Sequence, residues 1–92
     1  LSTVDEADFA KDVAEMVADH APRLFAIVLE YGTQVDARIA AWGMELDEGA
    51  YMTTVDGRRQ YALADAEGAL RYIRGNPDTT PRLVWVEAPT HG

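Results

Sequence analysis

Cysteine is absent from the 92 residues. That excludes a disulfide framework, a thiolate zinc site and a cysteine nucleophile. In a domain this small, the lack of covalent staples points to a reducing compartment, where the core alone holds the fold. Lysine is scarce too: Lys11 stands alone beside seven arginines. At a net charge of −8 the chain lacks the clustered cations that nonspecific nucleic-acid binding needs. Attachment to an anionic membrane is disfavoured for the same reason. The longest apolar run, Leu24 to Leu29, is far too short to cross a bilayer. The chain starts at Leu1 rather than methionine, as a trimmed chain would. Its N-terminal stretch is acidic and lacks the apolar core of a signal peptide. A cytoplasmic setting is therefore expected. There is no glycine-rich phosphate loop, dinucleotide fingerprint, G-x-S-x-G, metalloprotease or EF-hand pattern, and no cofactor is expected.

What is present suits one small domain spanning residues 1–92. The apolar fraction is 48% and the charged fraction 26%, both ordinary for a globular chain. Residues 1–20 read as an amphipathic helix. Phe9, Val13, Met16, Val17 and His20 form one stripe at helical spacing. Thr3 and Glu6 have the spacing of a capping box, and Asp5, Glu6 and Asp8 suit a helix N-terminus. This segment holds six acids and one lysine, so −5 of the total of −8 sits here. Residues 24–31, LFAIVLEY, read as a strand apolar on both faces, which predicts a central strand covered on both sides. Residues 35–46 fit either a helix or a strand. The short turn before them and the interior Gly43 favour a strand, with a bend at Gly43. Asp56-Gly57 is a favoured hairpin turn. It sets Thr54 opposite Arg59, Met52 opposite Tyr61 and Ala50 opposite Leu63, with the last two pairs facing the core. Residues 65–74 read as a short helix with Asp65 as N-cap and Gly75 just past its end. Leu83 to Glu87 makes a last strand. The order α-β-β-β-β-α-β predicts α+β: an antiparallel four- to five-stranded sheet packed by an N-terminal helix and a short second helix.

Candidate chemistry is sparse. His20 ends the first helix and Glu30 ends the central strand, and together they are the candidates for acid–base work. Glu30 would need a cation if buried, and Arg38 on the next strand is the expected partner. A pocket between helix and sheet would draw on His20, Glu30, Arg38 and Tyr31. The Glu45, Asp47 and Glu48 cluster reads as a solvated turn, and no metal site is expected. Four arginines lie close in sequence. Arg58 and Arg59 flank the hairpin tip, where charge blocks edge pairing. Arg71 and Arg74 end the short helix, where the dipole favours cations. They become an anion site only if at least two converge.

The run FAIVLEYGTQVDARIAAWGMELDEGAYMTTVDG resembles small uncharacterised proteins of GC-rich actinobacteria. The resemblance implies a bacterial cytoplasmic setting and carries no functional residues with it. The remaining signal is an excess of apolar sheet over helix. Two strands with two apolar faces leave more surface than two short helices can cover. The expectation is a homodimer, or a protein partner, and a role in protein–protein interaction rather than catalysis. The alternatives are a small-ligand binder or minor enzyme, and an antitoxin- or immunity-type binder whose acidity suits a basic target.

Overall fold

The computed structural model describes residues 3–32 and 35–87, with side chains from Glu6 onward. The elements are helix α1 (Thr3–Asp19) and strands β1 (Arg23–Tyr31), β2 (Asp36–Leu46), β3 (Gly49–Thr54) and β4 (Gln60–Leu63). A 3₁₀ helix, η1 (Ala66–Arg71), and strand β5 (Thr79–Trp85) follow. The strands form one antiparallel sheet in the order β4-β3-β2-β1-β5. The fold is α+β. The Thr3–Glu6 capping pair, Asp5, the turn at residues 33–34 and His91 in the tail lie outside the described residues or side chains.

The segment 35–46 is a strand, and β1 lies in the sheet interior between β2 and β5. The hairpin register is the expected one, but the turn is centred one residue earlier: the Gly57 N–H donates to the Thr54 carbonyl at 2.8 Å, so Val55 and Asp56 are the central residues and Gly57 follows at positive φ. Ala50 faces Leu63 and Met52 faces Tyr61, and the Thr54 N–H donates to the Arg59 carbonyl at 2.9 Å. β5 starts four residues earlier than its apolar run and includes Pro81. Proline is tolerated there because β5 is an edge strand.

Alternation along β1 sorts the two faces. Phe25, Ile27 and Leu29 point into the core with Ala41, Ala50 and Met52. The cover on that face is η1 together with Ile73. The segment is a 3₁₀ helix rather than a longer α-helix, and side chains at i and i+3 eclipse in that geometry. Ala66 and Ala69 are fully buried against the sheet. Tyr72, next in the same row, stacks on Tyr61 with centroids 4.9 Å apart. Asp65 caps this helix as its sequence predicts: its Oδ1 accepts from the Gly68 N–H at 2.9 Å. Gly75 is not a left-handed cap, since only Gly32 and Gly57 take positive φ among the described glycines. It is small because Thr79 backbone packs against it.

Gly43 also has a reason other than a bend. It sits opposite Phe25 in the β1–β2 pair, and the Phe25 ring lies across its Cα. A Cβ placed there would come within 2.7 Å of Phe25 Cε1. The same ring meets Trp85 edge-on at 5.8 Å, and the Arg23 guanidinium lies 3.9 Å over the Trp85 ring. Phe25, Gly43 and Trp85 thus lock β1 to both its neighbours.

The N-terminal helix departs from expectation in its placement. Every described side chain of α1 from Glu6 onward is exposed. Among the described residues α1 makes no contact with the sheet or η1. It projects away and stretches the molecule to 65 Å. Within one chain, the helix expected to pack the sheet stands off it.

The Phe25–Gly43 contact gives a direct test. Gly43→Ala should lower unfolding free energy by about 3 kcal/mol, as overpacking of a core does. Urea titration of the same substitution in a Phe25→Leu background should show a clearly smaller cost, because the ring that needs the space is gone.

Candidate functional site

Core packing uses only one side of the sheet. The other side carries Leu24, Ala26 and Val28 of β1, and register places Met44 and Trp42 beside them on β2. Tyr51 lies opposite Met44, and Val84 opposite Ala26. Val86 continues the alternation, with its N–H donating to the Leu24 carbonyl at 2.9 Å. Leu24, Trp42, Leu46, Tyr51, Val84 and Val86 are all exposed large apolar side chains. Polar groups border the patch. The Arg82 guanidinium bonds Glu30 at 2.8 Å beyond one end, and Thr53 and Gln60 lie toward β4. No described element covers this face.

The acid–base candidates are not assembled. His20 and Glu30 lie at opposite ends of β1, about 25 Å apart at ~3.3 Å per residue. His20 Nδ1 lies 2.9 Å from the Met16 carbonyl, inside its own helix. Glu30 pairs with Arg82 rather than Arg38. The Arg38 Nε–H instead donates to the Tyr31 hydroxyl at 2.9 Å. The reason is register: Glu30 and Arg82 sit on the same face of adjacent β1 and β5, whereas Arg38 points to the opposite face with Leu29. Glu45 accepts the Ala66 N–H at 3.3 Å and so ties η1 to β2. Among the described residues, no group of three His, Cys, Asp or Glu side chains is placed to hold a metal ion.

The four arginines divide. Arg71 lines a hollow with Asp65 and Glu67, which supply counter-charge nearby. Arg59 and Arg74 line a different hollow of about 410 Å³, together with Arg38. Arg58 lies outside it. Tyr61, Tyr72 and Asp56 complete that lining. The Asp56 carboxyl is held below the usual aspartate value. Its Oδ1 accepts the Thr54 hydroxyl at 2.6 Å and the Arg58 N–H at 2.9 Å, and the Arg59 charge adds a smaller pull. The lining thus holds three arginines and one aspartate, a local excess of positive charge on an acidic chain. Planar guanidinium forks of this kind suit phosphate or carboxylate oxygens. Of the four arginines that the sequence offered, Arg59 and Arg74 share this hollow, while Arg58 and Arg71 do not. Arg38 joins them only through the β2–β3 pairing.

Comparison with protein-family models, with curated proteins and with solved structures finds no match. No helix among the described residues is long and apolar enough to cross a membrane.

Proposed function

We propose that the chain is a homodimeric protein–protein interaction module of the bacterial cytoplasm, non-catalytic, whose docking face is the open side of the sheet. The observation that carries this reading is the continuous apolar patch on β1, β2, β3 and β5. Apolar surface of that extent on a small chain marks a place where another protein sits. Its make-up supports the same reading, with Trp42 and Tyr51 near the middle and polar groups at the rim. Covering each half-exposed side chain contributes about 1 kcal/mol. No single residue therefore dominates, and the patch acts as a whole.

A second reading rests on the arginine hollow: a small anionic ligand held by Arg38, Arg59 and Arg74. It is compatible with the first, because the hollow opens on the η1 side of the sheet.

Two measurements separate these readings. Light scattering at micromolar concentration should give twice the 10.1 kDa chain mass. Trp42→Asp and Val84→Asp should each shift the chain to monomer while the far-ultraviolet circular dichroism of the sheet persists. A wild-type monomer across the whole concentration range contradicts the homodimer. For the hollow, millimolar inorganic phosphate should raise the thermal midpoint more than sodium chloride of equal ionic strength. The double change Arg59→Gln and Arg74→Gln should erase that difference, and equal midpoints in the two salts for the wild type contradict the ligand reading.

A further inference from the structure

Besides the open sheet face, the chain leaves a second apolar surface without a partner. Phe9, Val13, Met16 and Val17 form one stripe along α1, and all four are exposed. In proteins most helical stability comes from packing an amphipathic face rather than from propensity, and α1 packs on no described element of its own chain. Its stability must come from something laid against that stripe.

The two surfaces match in size. The stripe from Phe9 to Val17 runs about 12 Å at ~1.5 Å per residue, and a helix is about 10–12 Å across. The apolar band from Leu24 to Val28 runs about 13 Å, and the four strands β5, β1, β2 and β3 span about 14 Å. The band is therefore close to one helix wide and one stripe long.

The connection decides whose helix fits. Only His20, Ala21 and Pro22 separate α1 from β1. The His20 N–H donates to the Met16 carbonyl at 3.1 Å and the Ala21 N–H to the Ala18 carbonyl at 3.4 Å, so the hydrogen bonds of the last turn run up to the residue before Pro22. Pro22 has a fixed φ, and the residue before it is held to extended backbone. In this conformation α1 points away from its own sheet and cannot reach the open face. The face of a second molecule is not bound by this junction.

We infer that α1 of one copy lies on the open sheet face of a second copy, and that the exchange is reciprocal about a twofold axis. This rests on the homodimer reading and specifies its geometry. The area supports it. Four exposed stripe side chains and six on the sheet, at roughly 70 Å² each, offer about 700 Å² per copy, near the ~800 Å² per partner of a standard interface. Either surface alone falls well short. Reciprocal exchange covers both at once, and the acids Asp8, Asp12, Glu15 and Asp19 stay in solvent on the far side of the helix. Exchange of an element between identical chains is a low-cost route to a closed dimer.

The absence of cysteine makes the test direct, since one introduced cysteine takes a nitroxide spin label at one position. Ala14→Cys places the label on the flank of the stripe. Labelled copies are mixed in several-fold excess with isotope-labelled wild-type copies, and the two tryptophan indole signals of the latter are read. Trp42 lies on the open face, whereas Trp85 packs on Phe25 on the core side. Exchange predicts loss of the Trp42 signal, recovery when the nitroxide is reduced, and much less attenuation at Trp85. If the Ala14→Cys copy does not dimerise, Lys11→Cys on the polar face carries the label instead. An unchanged Trp42 signal in a mixture of dimeric mass overturns the exchange and leaves the homodimer standing. Attenuation seen only when label and isotope share one chain means that α1 folds onto its own sheet, which also overturns it. A monomeric mixture removes both readings.

Discussion

A five-stranded sheet with two apolar faces needs cover on two sides, and the body of this chain supplies it on one. That imbalance governs the rest of the structure. On the core side the cover is Ile73 and two turns of 3₁₀ helix whose buried residues are alanines. So thin a layer works only because the sheet meets it with large side chains, Phe25, Ile27 and Met52, all fully buried. Phe25 can lie flat because Gly43 offers no side chain beneath it. The same ring reaches Trp85 on β5. β1 and its two neighbours are thus coupled through one aromatic ring.

On the other side the sheet alternates as a buried strand set would, yet no described element lies over it. Alternation that places Leu24, Trp42, Tyr51 and Val84 on a common face is costly to leave in water. The helix that precedes the sheet has the same property, an apolar stripe with nothing against it. Two such surfaces on one chain account for each other if a second copy is present. The arginine hollow is independent of this. It lies on the η1 side, and its chemistry is electrostatic.

Much of the fold was legible in the sequence because it is local. The hairpin register around Asp56 and Gly57 is set by neighbours only a few residues away. Asp65 caps η1 across three residues. The dense run at residues 24–31 reads as an interior strand and is one, although only one of its two faces is covered. What was not legible depends on contacts between distant segments. Glu30 meets Arg82 rather than Arg38 because β5 returns beside β1, 52 residues later in the chain. Gly43 reads as a bend until Phe25 is seen across the ladder. Residues 65–74 carry good α-helix signals, and the tight fit of Ala66 and Ala69 against the sheet accompanies a 3₁₀ form instead. Arg38 joins Arg59 and Arg74 only through strand pairing. The placement of α1 is the largest gap. Its periodicity says that one face must be buried, and nothing in a periodicity says against which molecule.

The central claim is that α1 is held by a second copy and by nothing in its own chain. Hydrogen exchange of the α1 backbone amides, followed as the protein is diluted, tests it most directly. The account predicts strong protection of residues 9–19 at concentrations where the mass is that of a dimer. It predicts near-complete loss of that protection where the mass is that of a monomer, while β1 and β2 amides stay protected. Protection of α1 that persists in the monomer would contradict the account, and so would α1 amides that exchange freely in the dimer.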